Sequence, residues 1–374
     1  MGIRPFLTAC LAAGLFALPA RPAPAAPADL AEALAAICEE RGVPGLAAAA
    51  GKGDEVLALG AAGVRRMGGD EAATVEDKWH IGSCTKSMTA TLAAILVEEG
   101  AIGWDATVGE KLRDLKPHDG YKGVTLEQLL AHRGGAPHQP PAALWATAFH
   151  DRKPTPQDQR LRFAKGILAE GPAQEAGAKF AYSNAGYTLA GIMLERAGRR
   201  PWEDLMRDRL FTPLKMDSAG FGPPAGVRGD KVDQPWGHLA TGTPVPPNPQ
   251  ADNPPAIGPG GTVHCSIGDL LRYALLHARR DALLKPETFA ALHEPRGEGG
   301  DYALGWIVTE RAWAGGKTLF HNGTNTMNFA VMWVSPKRGI AAVAATNMGG
   351  KDAEKACDQA VGAALEAALK AVRD

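Results

Sequence analysis

Apolar residues recur at helical spacing in two segments near the start of the chain. In the first segment they alternate with acidic residues, which predicts a helix over 29–41. The second segment, 83–99, ends at Gly100, a residue that commonly follows a helix. It is the stronger helix prediction, because four apolar side chains share one face of it: Met88, Leu92, Ile95 and Leu96.

Short apolar runs bounded by turn residues predict strands at both ends of the chain. Near the start, 45–50 and 55–59 are separated by a polar turn, as in a hairpin. In the last third, four such runs predict an antiparallel meander, and an Ala- and Leu-rich helix over 353–372 follows it. The meander strands are 302–308, 317–321, 328–334 and 340–345, with turns at 314–316, 322–323 and 336–339.

The middle of the chain mixes helices with loops rich in Pro and Gly. Two long loops, 134–141 and 222–261, are expected to cover or serve a site, because loops of that length in compact proteins commonly do so. Together with Trp145 and Trp236 they are expected to wall the cleft. Helices are predicted over 125–131, 156–169, 185–197, 202–210, 267–278 and 286–293.

This segregated order of elements predicts an α+β fold rather than alternating βαβ units. We expect one antiparallel β-sheet built from residues 27–82 and 300–374, flanked by the N- and C-terminal helices. Residues 83–299 are expected to form a mostly helical second region that carries the active-site loops.

Residues 1–26 have the features of a signal peptide. Arg4 precedes an apolar run over 5–18, and small residues follow at cleavage spacing. A membrane anchor that stays attached is the alternative, although the run is short for a span. The prediction is a secreted or periplasmic protein with no stable membrane span after cleavage.

Composition narrows the class of function. Of 374 residues, 45% are hydrophobic and 22% charged, with a net charge of −1, as in ordinary globular proteins. No basic run supports nucleic-acid binding. The histidines form no metal-binding motif, so no metal or cofactor is expected. A small molecule or a peptide is the expected partner, and the oligomeric state is left open.

Ser83 and Lys86 are the first candidate catalytic pair. They lie three residues apart on a predicted helix, so their side chains share a face. A serine hydroxyl becomes a good nucleophile only when a base removes its proton. A lysine can be that base if burial lowers its pKa toward neutrality. Ser83 could instead cap the helix, a role compatible with catalysis.

Two later motifs add candidate groups. Tyr182 and Asn184 would supply a hydroxyl relay and an amide hydrogen-bonding group on one turn, or else a core tyrosine and a helix cap. His321 and Gly323 lie at the edge of a predicted strand, where a substrate could approach the backbone closely. The alternative for the second motif is a plain Asn-Gly hairpin turn.

Ser-x-x-Lys, Tyr-x-Asn and His-x-Gly, in this order, resemble the motifs of the serine β-lactamases and penicillin-binding DD-peptidases. The similarity is greatest to the class C-related branch, with its DD-carboxypeptidases and family VIII esterases, and it covers roughly residues 29 to 370. The stretches that support it are 79–87, 125–135, 182–187, 213–216 and 258–261.

The resemblance implies a role for each candidate residue. Ser83 would form an acyl-enzyme, while Lys86 and Tyr182 would share the general-base and proton-return work. Asn184 would bind the amide or ester side of the substrate. The backbone N–H groups of Ser83 and Thr324 would form an oxyanion hole.

His321 departs from the family pattern, because class C β-lactamases carry Lys there. It would present positive or donor character to a substrate carboxylate, but a histidine is only partly charged near pH 7. We therefore expect weak or absent β-lactamase activity. The predicted function is a serine hydrolase acting on peptide, amide or ester substrates. The alternative is a non-catalytic penicillin-binding or sensor module.

The resemblance also implies a disulfide. The family fold packs its first and last helices side by side, and these would carry Cys38 and Cys357. Cys84 is expected to be a small buried residue facing away from Ser83. His132 and His138 are expected to be surface loop residues rather than ligands.

Overall fold

A computed structural model describes Gly2 and residues 26–151, 155–225, 232–248 and 251–373. The predicted signal peptide therefore lies almost wholly outside the described residues. Within them, no helix is long and apolar enough to cross a membrane.

A mainly antiparallel sheet of seven strands forms the centre of the molecule, in the order β1-β3-β2-β12-β11-β10-β9. Only the short β1 runs parallel to its neighbour. Both ends of the chain build this sheet, as predicted, and two small sheets, β4-β8-β5 and β6-β7, accompany it. The strands are β1 (Ala28–Asp29), β2 (Gly45–Lys52), β3 (Glu55–Gly63), β4 (Lys78–His80), β5 (Gly220–Phe221), β6 (Gly237–His238), β7 (Pro244–Val245), β8 (Val263–Ser266), β9 (Ile307–Arg311), β10 (Gly316–Thr324), β11 (Phe329–Ser335) and β12 (Ile340–Thr346).

Helices cover both faces of the sheet and fill the middle of the chain. They are α1 (Ala31–Arg41), α2 (Thr85–Glu98), α3 (Val108–Lys111), α4 (Asp119–Lys122), α5 (Leu126–Leu130), α6 (Ala142–His150), α7 (Pro156–Ala169), α8 (Asn184–Gly198), α9 (Trp202–Met206), α10 (Gly258–Gly261), α11 (Ile267–Arg279), α12 (Pro286–His293) and α13 (Lys351–Ala371). Short 3₁₀ turns occur at Gly82–Cys84, Arg113–Leu115, Pro255–Ile257 and Ala312–Ala314, and a π-helical turn at Arg207–Phe211.

Alternation along the central strands assigns side chains to the two faces of the sheet. In β2, Leu46 and Ala48 join the apolar cluster under α1 and α13, whereas Ala47 and Ala49 join the cluster on the opposite face. This is the period of two that a strand imposes. Because most of these side chains are alanines, α11 and α13 can pack close to β2 and β12. The α+β fold is thus confirmed.

Helix α2 is buried around its whole circumference, because every residue from Thr85 to Leu96 is buried. Its hydroxyl groups find partners inside the protein: Thr89 donates to the Pro259 carbonyl, and Thr91 to the Ser87 carbonyl. Buried polar groups with partners cost little stability. The helix that carries the Ser-x-x-Lys motif is therefore a rigid central element.

Two strand predictions in the last third need correction. The predicted strand 302–308 begins only at Ile307, because Gly305 has a φ of +76° and turns the chain. A Cβ on Gly305 would lie 2.7 Å from the Ser87 Cα, so only glycine fits beside α2. The predicted turn at 322–323 is wrong, since Gly323 and Thr324 pair with β11 and the chain reverses after them.

The predicted disulfide is also wrong, because Cys38 and Cys357 are both free and buried. The Cys38 thiol contacts the Ala62 carbonyl on β3, and the Cys357 thiol contacts the Phe329 carbonyl on β11. Ala62 and Phe329 lie in one row of the sheet, three strand spacings apart. At about 4.8 Å per spacing, the two carbonyls are too far apart for their thiols to meet. Cys84 is buried, as predicted.

The division of the chain into a sheet region and a helical region, with boundaries at residues 82 and 300, stays a prediction.

Candidate active site

The candidate nucleophile, Ser83, lies on a 3₁₀ turn that leads directly into α2. The turn needs glycine before the serine, since Gly82 has a φ of +50°, which side chains rarely tolerate. The turn is anchored to β8, because the Ile81 N–H donates to the Val263 carbonyl and the Thr85 hydroxyl accepts from the Val263 N–H. Ser83 itself remains partly exposed.

Lys86 lies one helical turn after Ser83 and is fully buried. Its Nζ is 3.0 Å from the Ser83 Oγ, 2.7 Å from the Asn184 Oδ1 and 2.6 Å from the Gly260 carbonyl oxygen. Burial lowers the pKa of the amine from 10.5 to about 7, although the nearby Cys84 opposes this shift. A buried amine loses its hydration, and this disfavours the charged form.

The three neighbours of the Lys86 amine can serve its neutral form as well as its charged form. A neutral amine has two N–H donors and one lone pair. The Asn184 Oδ1 and the Gly260 carbonyl can only accept, so they take the two donors. The lone pair then faces the Ser83 hydroxyl, which can donate its proton. The arrangement therefore directs the basic electron pair at the candidate nucleophile.

Tyr182 lies on the other side of the serine oxygen, and its hydroxyl donates to the Ser83 Oγ at 2.7 Å. Burial raises the pKa of the phenol well above its usual range. Tyr182 is therefore a neutral proton donor at physiological pH. Its ring also covers the lysine, since the Lys86 Nζ is 4.7 Å from the ring centroid.

Two histidines hold the tyrosine in place. The His132 ring packs against the Tyr182 ring at 4.3 Å between centroids, and its Nδ1 accepts from the Ser183 N–H. His138 contacts the Tyr182 carbonyl oxygen through its Nδ1, at 2.6 Å. The prediction that His132 is a surface residue is wrong, because only 2% of it is exposed. Burial keeps its pKa well below 6.5, so it is neutral.

Asn184 begins α8, but it does not cap the helix. Ser183 is the cap, because its Oγ accepts from the Gly186 N–H at 3.1 Å. The Asn184 side chain is thus free to meet Lys86. The sequence also allowed Asn184 to be the cap of this helix, but Ser183 has that role.

The end of β10 brings Gly323 and Thr324 against the nucleophile turn. A Cβ on Gly323 would overlap the Ser83 amide nitrogen and the Ile81 carbonyl, and a Cβ on Gly82 would overlap the Thr324 amide nitrogen. Only glycine permits so close an approach at either position. The amide groups of Ser83 and Thr324 therefore belong to two backbone segments in direct contact beside the serine.

His321, which was expected to present positive or donor character to a substrate carboxylate, carries no positive charge. Burial, with the nearby Lys86 as a second cause, lowers its pKa to about 3. Both ring nitrogens have partners: Nδ1 lies 2.6 Å from the Asn322 carbonyl, and Nε2 lies 3.1 Å from the Tyr302 hydroxyl. The carbonyl can only accept, so Nδ1 carries the hydrogen and Nε2 accepts.

A cavity of about 550 Å³ opens above Ser83. Its apolar wall consists of Phe180, Tyr302, Ile307 and Phe329. Trp145 packs against Phe149 and Phe163 instead, so the expectation that it walls the cleft is wrong. The same is true of Trp236, which stacks with Arg66. The remaining lining residues are Ser83, Tyr182, Asn184, Asp301, His321, Asn322, Gly323 and Thr324.

Three groups at the site were not predicted from the sequence: the Gly260 carbonyl, the Tyr302 hydroxyl and the buried His132. A carbonyl oxygen has no sequence signal of its own, although Gly260 belongs to a stretch that supported the family resemblance. Among the described residues, no group of His, Cys, Asp and Glu side chains could hold a metal ion.

A serine, a buried lysine and a phenol are thus within hydrogen-bonding distance of one another, beside two backbone segments in close contact. The family model for Beta-lactamase matches residues 28–366. The chain belongs to the beta-lactamase family, which confirms the resemblance inferred from the sequence.

Individual relatives are distant in sequence. Penicillin-binding protein 4 of Amycolatopsis lactamdurans is 28% identical over 84% of this chain and 83% of its own length. The unguisins hydrolase ungD' of Aspergillus campestris is 23% identical, and the match covers 85% of this chain but 61% of that protein.

Solved structures share the fold. The octameric penicillin-binding protein homologue of Pyrococcus abyssi has a TM-score of 0.73 at 25% identity, covering 90% of this chain and 76% of that one. The D-amino acid amidase of Ochrobactrum anthropi has a TM-score of 0.70 at 20% identity, covering 92% of this chain and 99% of its own. The amidase similarity concerns the fold alone.

Proposed function

We propose that the protein is a serine hydrolase that forms an acyl-enzyme on Ser83. The observation that carries this proposal is the Lys86 amine, which is fully buried and 3.0 Å from the Ser83 hydroxyl. Its pKa of about 7 matches the range in which a general base works best.

In the acylation step, the Ser83 Oγ attacks the carbonyl carbon of the substrate while its proton passes to the Lys86 Nζ. The negative charge that develops on the carbonyl oxygen is met by the N–H groups of Ser83 and Thr324. Each such donor contributes about 3 kcal/mol to transition-state stabilisation. Tyr182, a neutral phenol, is suited to pass a proton to the departing amine or alcohol.

In the deacylation step, water attacks the acyl carbon, and its proton passes to the Tyr182 oxygen, which gave its own proton to the leaving group. The bond between the acyl carbon and the Ser83 Oγ breaks, and Lys86, protonated during acylation, returns a proton to that oxygen. Both groups lie within hydrogen-bonding distance of the Ser83 Oγ. Asn184 holds the amine in place and borders the cavity, where it can also bind the amide or ester group of the substrate.

The cavity supports a small uncharged or amine-bearing acyl group rather than a carboxylate. Its described lining contains one ionisable acid, Asp301, a neutral His321 and no lysine or arginine. We therefore infer peptide, amide or ester substrates and weak or absent β-lactamase activity. Relatives named for penicillin binding and for unguisins hydrolysis are consistent with acyl transfer. We also propose secretion or periplasmic location, on the strength of residues 1–26.

The test is covalent labelling of Ser83 with a fluorophosphonate, combined with hydrolysis of p-nitrophenyl esters, a D-Ala-D-Ala peptide and nitrocefin. We expect labelling and ester or peptide turnover in the wild type, and neither in Ser83→Ala. Tyr182→Phe should keep the fold and lose about 100-fold or more in turnover. Labelling without turnover of any substrate would favour a non-catalytic sensor. Nitrocefin turnover like that of a resistance enzyme would contradict the substrate inference.

A further inference from the structure

Asp252 is a buried carboxylate outside the Ser83 cavity, and 3% of it is exposed. One of its oxygens, Oδ1, has three neighbouring nitrogens. These are the His80 Nε2 at 2.7 Å, the Asn325 Nδ2 at 3.1 Å and the Asn253 backbone N at 2.6 Å. Burying a carboxylate costs several kcal/mol unless such partners compensate. The first two of these contacts tie Asp252 to two other segments of the chain.

The first arm from Asp252 leads to the nucleophile turn. His80 ends β4, and its Nδ1 accepts from the Gly82 N–H at 3.1 Å. Because Nδ1 accepts, the ring hydrogen is on Nε2, the nitrogen that lies beside Asp252. The Nε2–H is not aligned with Oδ1, so the contact is mainly electrostatic. The Asp252 carboxylate thereby favours the His80 tautomer whose Nδ1 can accept from the Gly82 N–H. The Gly82 peptide lies next to the Ser83 N–H.

The second arm leads to the end of β10. Asn325 follows Thr324 directly, and its Nδ2 donates to Asp252. The Asn325 Oδ1 accepts from the Met327 N–H and from the Asn328 side chain, so the amide group cannot rotate freely. This contact fixes the chain immediately after the Thr324 N–H.

We propose that Asp252 is a positioning residue, and that it holds together the two backbone segments whose N–H groups form the oxyanion hole. The inference rests on the proposed function, because it assigns that hole to Ser83 and Thr324. Asp252 acts through His80 on one segment and through Asn325 on the other. It touches neither the substrate nor the reacting atoms.

Two substitutions separate the charge of Asp252 from its acceptor oxygen. Asp252→Ala removes both, so His80 can shift its hydrogen to Nδ1, where it would oppose the Gly82 N–H. Asp252→Asn keeps an oxygen that can accept the same bonds but removes the charge that strengthens them. We expect kcat to fall by about 10–100-fold in Asp252→Ala, as for other residues that orient a catalytic group, and by less in Asp252→Asn. KM should be unchanged, because only the transition state is affected.

The decisive measurement compares a p-nitrophenyl ester with its thiono analogue. Sulfur is larger and accepts hydrogen bonds more weakly than oxygen, so an intact oxyanion hole favours the oxygen ester. We expect the ratio of kcat/KM for the two esters to fall by about tenfold in Asp252→Ala and by less in Asp252→Asn. Asp269→Ala is the matched control. Asp269 is also buried, and it accepts from the Ser218 N–H and pairs with Arg272.

The outcomes separate this inference from the proposed function. If the wild type is labelled by a fluorophosphonate and both Asp252 variants keep its oxygen-to-thiono ratio, the role of Asp252 is overturned. If Asp252→Ala does not fold, Asp252→Asn decides by the same ratio. An equal fall of the ratio in Asp269→Ala would show a general effect of losing a buried acid, which also overturns the inference. Absence of labelling in the wild type would overturn the proposed function instead.

Discussion

Replacing Lys86 with methionine tests whether the buried amine is neutral in the folded protein. Methionine has a similar length and no ionisable group, so it fills the same space without a proton to bind. In the folded wild type the pKa of Lys86 is about 7, against 10.5 for an ordinary lysine. The effect on stability can be measured without any catalytic activity.

The shift of the Lys86 pKa corresponds to a free-energy difference of about 5 kcal/mol between the folded and unfolded environments. Because the folded pKa is the lower one, unfolding takes up a proton at any pH between about 7 and 10.5. Raising the pH through that window therefore favours the folded state. Between pH 7 and 9 the wild type should gain about 2 kcal/mol relative to Lys86→Met. Below pH 7 the difference should level off.

Urea denaturation at several pH values, followed by tryptophan fluorescence, measures this difference as the change in free energy of unfolding. The loss of hydrogen bonds to the Asn184 side chain and the Gly260 carbonyl adds a constant offset, which does not depend on pH. Lys351→Met, at the exposed start of α13, serves as the control for removing one positive charge.

A stability difference that stays constant from pH 7 to 9 would refute the argument, because Lys86 would then be protonated over the whole range. A protonated Lys86 could not accept the Ser83 proton. The same electrostatics predicts that kcat/KM falls about tenfold per pH unit below pH 7 in the wild type.

Three further predictions concern separate parts of the structure. Gly323→Ala should lower kcat by about 100-fold or more, since its methyl group would push β10 away from the nucleophile turn, whereas Gly362→Ala on open α13 should not. The ratio of kcat/KM for a carboxylate-bearing ester to that for an uncharged ester should have the same pH dependence in the wild type and in His321→Gln between pH 5 and 8. His321 is already neutral over this range, so it adds no transition. Thiol titration of the denatured, unreduced protein should find Cys38 and Cys357 free; a bonded pair would restore the disulfide.

Several features of the fold followed from local patterns. Short apolar runs separated by a polar turn predicted the hairpin of β2 and β3, and helical spacing predicted α7 and α12 to the residue. These patterns work because burial on one face of an element repeats every two or every 3.6 residues. Where a glycine serves close packing, the same patterns mislead. Gly305 delays a strand beside α2, and Gly323 continues a strand where the sequence suggested a turn.

The cysteines and histidines show a second limit. Cys38 and Cys357 lie on adjacent helices, as the resemblance implied, but their thiols point at carbonyls three strand spacings apart. His321 occupies the strand position that was expected, but burial removes its charge. Sequence separation gives neither the direction of a side chain nor the depth at which it is buried.

For the site itself, the sequence alone determined that a serine and a lysine share one face of a helix, because three residues make nearly one helical turn. Only the tertiary structure decided that Tyr182 and the Gly260 carbonyl, 99 and 174 residues away, meet the same two side chains. It also decided the charge of the lysine, because a pKa depends on how completely distant segments exclude water from the amine.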